Sequence, residues 1–183
     1  MRKFWLPAFL LFFGGIGAGF FSLVLTSQVK APVGHSHWLT NSDIGTRGES
    51  IFSRALVARV GLYGLPKTEV WYFITQRDSR GILLEAGKRY QVRGIAPDCA
   101  FWSITLYDET LFLTENSKGE YHFNGHKLGV RKGETYAFVI DSQPSAEPWL
   151  PAPPKGPIVL CFRMYKPART RLAERLLPKI TPL

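Results

Sequence analysis

From Glu69 onward the apolar residues of this chain fall into a period of two, and the pattern returns in five separate runs. Strand side chains alternate between two faces, so this spacing constrains the fold more than any other feature. "EVWYFIT" (69–75) is rich in aromatic and β-branched residues and precedes the turn-like "RDSRG". "KRYQVRGI" sets Tyr90 and Val92 against Arg89, Gln91 and Arg93, which leaves one face wet. "FWSITLY" places Trp102, Ile104 and Leu106 together, and "ETYAFVID" does the same with Tyr136, Phe138 and Ile140. "PIVLCFRMY" puts Ile158, Leu160, Phe162 and Met164 opposite Cys161, Arg163 and Tyr165. Short runs of this kind, separated by Gly, Pro, Asn and Asp, predict a mainly β fold built as an antiparallel β-sandwich or barrel.

The chain ahead of these runs reads differently. Glu49 to Gly64 predicts one helix, with Ile51, Ala55, Ala58 and Leu62 at helical spacing and Phe52, Leu56 and Val60 alongside. Arg54 and Arg59 stay off the first row, and Gly61 and Gly64 mark the end. Further upstream, Phe4 to Leu25 holds 22 residues without a charge. As a helix it would be about 33 Å long, enough for a bilayer core of about 30 Å. A cleaved signal peptide has a shorter apolar region and small residues before the cut, which "TSQVKAPVG" lacks. Arg2 and Lys3 outweigh Lys30, so the expected orientation is N-terminus inside, with the domain outside the inner membrane, in the periplasm of a Gram-negative cell.

The expected organisation is therefore an anchor over 1–28, a linker over 29–41, the sandwich over 42–167 and a basic tail over 168–183. In the tail, Leu172, Leu176 and Leu177 could line one stripe of a short helix. From Lys166 to the end five cations stand against Glu174 alone, so this segment could rest on anionic headgroups or pack on the domain. A nucleic-acid partner does not suit a domain on the outer side of a membrane. "PWLPAPPKGP" (148–157) reads as an ordered loop leading into the last strand, because Trp149 and Leu150 adjoin a strong strand pattern. Cys99 and Cys161 could form a disulfide in an oxidising compartment, or Cys161 could serve as a small buried hydrophobe.

Chemistry is harder to place. His35 and His37, and His122 and His126, form two close pairs, but no Cys or carboxylate completes a metal set. No G-x-S-x-G, H-E-x-x-H or glycine-rich phosphate loop occurs, and no cofactor is implied. One constellation remains. If "FWSITLY" and "PIVLCFRMY" are neighbours, the faces away from the core carry Ser103, Thr105, Tyr107, Arg163 and Tyr165. Hydroxyls converging with a guanidinium suit a carboxylate, phosphate or sugar hydroxyl.

Three segments, "RALVARVGLYGLPKTEVWYF", "FWSITLYDETLFLTEN" and "PWLPAPPKGPIVLCFRMYKP", resemble the successive motifs of the bacterial family called domain of unknown function 1214. The matching positions include Arg54-Ala55, Gly61-Leu62, Asp78, Phe101 to Asp108, Asn116, Tyr121, Trp149 to Pro153, and Arg163, Tyr165 and Pro167. Glu120 and Pro148 depart from the pattern, which has Arg and Asn there. The resemblance implies a jelly-roll-like sandwich that occurs with a companion, domain of unknown function 1254, and it implies no reaction. The expected role is an anchored extracytoplasmic module binding a companion protein or an envelope ligand. The alternative is a hydrolase-like enzyme using the Ser103, Tyr107 and Arg163 face.

Overall fold

The computed structural model describes residues 5–26, 31–32, 36–40, 44–59, 64–116, 118–168 and 174–183. The elements run α1 (Trp5–Thr26), β1 (Ala31–Pro32), β2 (Leu39–Thr40), α2 (Ile51–Arg59), β3 (Val70–Thr75), β4 (Tyr90–Ile95) and β5 (Cys99–Asp108). Then follow β6 (His122–Asn124), α3 (Gly125–Leu128), β7 (Thr135–Asp141), β8 (Trp149–Pro151), β9 (Ile158–Pro167), a 3-10 turn over Glu174–Leu176 and β10 (Lys179–Pro182).

Two sheets form, in the orders β1-β2-β3-β9-β5-β6 and β10-β4-β7-β8. The fold is mainly β, as the period-two runs imply, and it is not a closed barrel. The inward faces are those read from the sequence. Trp102, Ile104, Leu106, Leu160, Phe162 and Met164 from one sheet share a core with Tyr90, Val92, Tyr136, Phe138, Ile140 and Ile180 from the other. Trp102 stacks on Tyr136 with ring centroids 4.6 Å apart, and Phe123 meets Phe138 at 4.9 Å, so aromatic pairs join the sheets. One pairing departs from the antiparallel expectation: β8 runs parallel to β7. The proline-rich stretch is ordered, since Trp149 Nε1 donates to the Asp141 carbonyl at 2.7 Å and Leu150 is buried. It delivers the chain into β9, after which β10 still follows.

The stretch read as a linker contributes to the core. Trp38 is 3% exposed, and its indole N–H donates to the Pro178 carbonyl at 2.9 Å. That bond lets an indole be buried without leaving its donor unsatisfied. The tail is also different from the expected helical stripe. Leu177 and Ile180 are buried, and Lys179–Pro182 completes the second sheet against β4; Leu172 lies outside the described residues.

The helix α2 spans Ile51–Arg59 of the expected stretch, and the described members of its first apolar row face outward. Ser50 caps it, its Oγ accepting from the Ser53 N–H at 3.1 Å. Ile51 is 76% exposed, and Ala55 and Ala58 are exposed as well. Among the described side chains the half-buried positions are Ser53 and Val57; Ser53 Oγ donates to Glu49 Oε1 at 2.7 Å, and Glu49 Oε2 accepts from Gly45 N–H at 2.9 Å. These bonds tie the start of the helix to the preceding turn. Val60, Gly61 and Leu62 lie outside the described residues.

Upstream, α1 has 22 residues, and Phe9, Leu11, Phe12 and Phe21 on it are exposed. Taken over the described residues alone, no helix is long and apolar enough to cross a membrane. Only part of the side chains of α1 belong to that set.

Candidate functional site

The long strands β5 and β9 are neighbours, and their register brings the sequence-selected residues onto one surface. Ser103 lies opposite Arg163, Phe101 opposite Tyr165 and Thr105 opposite Cys161. On the other side of β9, Tyr72 of β3 lies opposite Arg163. Beyond β5, His122 of β6 lies opposite Thr105. The outer face of the first sheet therefore gathers Ser103, Thr105, Tyr107, Arg163 and Tyr165, together with Tyr72 and His122.

Arg163 organises this face. Nη1 donates to Thr105 Oγ1 at 3.1 Å, and Nη2 donates to the Tyr107 hydroxyl oxygen at 2.6 Å. The guanidinium also lies 5.6 Å from the centroid of the Tyr107 ring. Burial works against the charge, but the Cys161 and Tyr107 groups more than offset it, so Arg163 is held above its ordinary range. Among the described residues no carboxylate pairs with it. Because both hydroxyl oxygens accept from Arg163, each keeps its own hydrogen to donate. The cluster thus presents donors and a positive charge to whatever approaches.

Tyr165 sits two residues along the strand, its ring 5.6 Å from that of Phe101. Ser103 and Thr105 are buried, and so are Val159 and Cys161 on the same side. The sequence pattern treats this side as open; the structure takes Ser103 and Thr105 out of solvent and leaves Tyr72, Tyr107, His122, Arg163 and Tyr165 half-buried. Burial, with the Tyr165 and Cys161 groups, raises the Tyr72 phenol above its usual value despite Arg163. Burial, then Lys127, pushes the His122 imidazole below its ordinary range, with Arg163 acting in the same direction, so it is neutral at neutral pH. The sequence pattern singles out His122 only as half of a histidine pair with His126, and Tyr72 not at all. Strand alternation puts Tyr72 opposite Trp71 and Phe73, but which strand neighbours β9 is not written in that pattern.

The cysteine pairing does not occur. Cys99 lies opposite Pro167 and Cys161 opposite Thr105, so six residues separate their rungs. At about 3.3 Å per residue that is roughly 20 Å, far beyond the reach of a disulfide. Both side chains are thiols, and burial pushes Cys99 up to about 11, which keeps it protonated. Among the described residues no three metal-capable side chains cluster; His122 is on β6 and His126 on the short helix α3 that follows it.

A second feature lies at one end of the sandwich. A cleft of about 660 Å³ opens between Ser36–Trp38, the Arg77–Ser79 turn, the Arg93–Ile95 end of β4 with Thr135, and the segment from Arg175 to Lys179. Among the described residues Asp78 is the one acid in its lining, and it is 2% exposed. Its Oδ1 accepts from the N–H groups of Arg80 and Ile82, both at 2.9 Å, and Oδ2 accepts from Arg80 Nη2 at 3.1 Å. Burial alone would raise this carboxyl, but those bonds prevail and hold it below 3.8. The sign of the linkage follows. A depressed folded-state value gives stability that is complete above about 3.8 and is lost as pH falls through the lower folded value. In acid titrations followed by near-ultraviolet circular dichroism, Asp78→Asn is expected to be less stable than the parent at neutral pH, the two converging as the solution becomes strongly acidic. A constant gap down to the lowest pH would remove this assignment.

Comparison with known proteins bears on the fold and the family. No curated relative matches the sequence. The chain is similar to the crystal structure of the VPA0106 protein from Vibrio parahaemolyticus, with TM-score 0.63 and 23% identity. That match covers 92% of this chain but 43% of the Vibrio protein, so the chain spans less than half of that protein's length. An uncharacterized protein from Burkholderia cenocepacia matches 62% of the chain with TM-score 0.42 and 15% identity, covering 29% of its own length. The family model described as "Protein of unknown function (DUF1214)" matches residues 69–169, which hold β3 through β9, the Arg163 cluster and the proline-rich strand. The chain belongs to this family.

Proposed function

We propose that this chain is a membrane-anchored, extracytoplasmic binding module that uses the Arg163 face to hold an acceptor-rich ligand, without catalysis. The observation that carries the reading is the donor-rich, carboxylate-free character of the cluster. A half-buried guanidinium with two hydroxyl partners and, among the described residues, no carboxylate is electrostatically incomplete. Carboxylate and hydroxyl oxygens, as found on acidic envelope glycans, complete it. The anchor rests on α1, 22 residues without a charge and with large apolar side chains exposed, and its orientation on Arg2 and Lys3. Association with a companion of domain of unknown function 1254 fits the family resemblance and belongs to the same proposal. The hydrolase alternative requires a nucleophile bonded to a base. Among the described residues Ser103 has no histidine partner, since His122 faces Thr105.

The test uses the full chain in detergent micelles, titrated with an acidic oligosaccharide such as a uronic acid oligomer. Saturable binding is expected, and Arg163→Gln is expected to weaken it by about tenfold or more. Its unfolding midpoint should shift by only a few degrees, since the core side of β9 is untouched. Equal affinity in the variant, absence of binding to the parent, or turnover of the glycan would each sink the reading.

A further inference from the structure

The structure assigns a second binding site, independent of the Arg163 face: the cleft at the end of the sandwich takes a small phosphate-bearing anion. Its volume, about 660 Å³, lies within the range of small-molecule sites. Four cations line it, Arg77, Arg93, Arg175 and Lys179. The single acid, Asp78, is already consumed by Arg80 and two backbone N–H groups, so it neutralises none of them. Among the described residues none of the four cations has an ion-pair partner.

Two of these cations are held against each other. Arg93 and Lys179 are directly opposite in the β4–β10 register, so their side chains leave the sheet side by side. Like charges opposite one another on paired strands destabilise a sheet. An anion placed between them turns that repulsion into two attractions. The surrounding frame is rigid enough to keep them there. Ser79 N–H donates to the Ile180 carbonyl at 2.9 Å, and Ser79 Oγ accepts from Ile180 N–H at 2.9 Å. These bonds lock the Arg77 turn to β10, and the Trp38 indole locks the opposite wall to Pro178. Arg77 spends one donor on the Gly81 carbonyl at 2.7 Å and keeps the rest of its fork. Arg forks and a Lys point charge, converging without a competing acid, match a phosphate group, which concentrates close to two charges on one set of oxygens.

The experiment uses the full chain in detergent micelles and pyrophosphate as the probe, followed by calorimetry. Saturable binding that weakens with added salt is expected. Arg93→Ala and Lys179→Ala should each weaken it by about tenfold. The ligand-free unfolding midpoint of each variant should stay level or rise, because the like-charge contact is gone; this separates loss of a site from loss of the fold. Competition identifies the source of the phosphate. Displacement by a short-chain phosphatidylglycerol, but not by glycerol phosphate, means a lipid headgroup, and the reverse means a soluble ester. No saturable pyrophosphate binding, or binding unchanged in both variants, overturns the proposal. Arg163→Gln should bind pyrophosphate as the parent does, so failure of this site and failure of the Arg163 face are told apart.

Discussion

Phe162→Ala is expected to destabilise the domain by about 3–5 kcal/mol, the largest loss available from a single truncation here. The ring is fully buried on β9, at the middle of the first sheet. It lies 6.0 Å from Phe73, 6.2 Å from Trp102 and 6.3 Å from Trp38, measured between centroids. Its neighbours belong to β3, β5 and the segment before β2, so no single strand can shift to fill the space. Urea unfolding checks this, with the slope unchanged and the midpoint reduced. Should the alanine variant fail to fold, Phe162→Leu provides a milder step, expected to cost about 1–2 kcal/mol. A loss below about 1 kcal/mol for the alanine variant would mean that this cluster is not the centre of the core.

Gly94→Ala is expected to cost roughly 3 kcal/mol, an unusually large effect for the addition of one methyl. A Cβ at Gly94 would lie 2.4 Å from the Tyr136 hydroxyl oxygen, 2.6 Å from Cζ and 3.0 Å from Cε1. The ring cannot retreat, because it is stacked on Trp102 and buried between the sheets. Removing the hydroxyl helps only partly. Tyr136→Phe in the Gly94→Ala background still leaves the Cζ carbon in contact, so the recovery should be incomplete. By itself, Tyr136→Phe is expected to be neutral or stabilising by about 1 kcal/mol, since its buried hydroxyl has no hydrogen-bond partner among the described residues. Thermal melts of the two single variants and the double variant measure the coupling. Additive losses would show that the ring does not sit over Gly94.

Much of the sandwich is legible in the sequence because alternation encodes which side of a strand faces the core. Trp102, Ile104 and Leu106, and Leu160, Phe162 and Met164, point inward as their spacing requires. Alternation does not encode which strands pair, so the meeting of Arg163 with Thr105 and Tyr107 depended on an adjacency that only the register supplies. It also misses elements too short to show a period. Trp38 and the strand Lys179–Pro182 sit in Pro- and Gly-rich or basic surroundings, and their burial is decided by partners elsewhere in the chain. The cleft was invisible for the same reason. Its four walls come from distant segments, and each contributes residues that look like ordinary solvated charges in isolation.

The bond from Trp38 to the Pro178 carbonyl spans 140 positions, and β10 directly after it pairs with β4. A chain emerging N-terminus first, from a ribosome or through a membrane pore, cannot make that contact or finish its second sheet until Pro178 and β10 have arrived. Until then Trp38 has no acceptor, and β4 has an open edge where β10 belongs. Closing a loop of this length carries an entropic cost that must be met before its contacts return anything. The segment from Pro178 to Pro182 therefore acts as the clasp of the domain, holding the Trp38 wall and the edge of the second sheet at once.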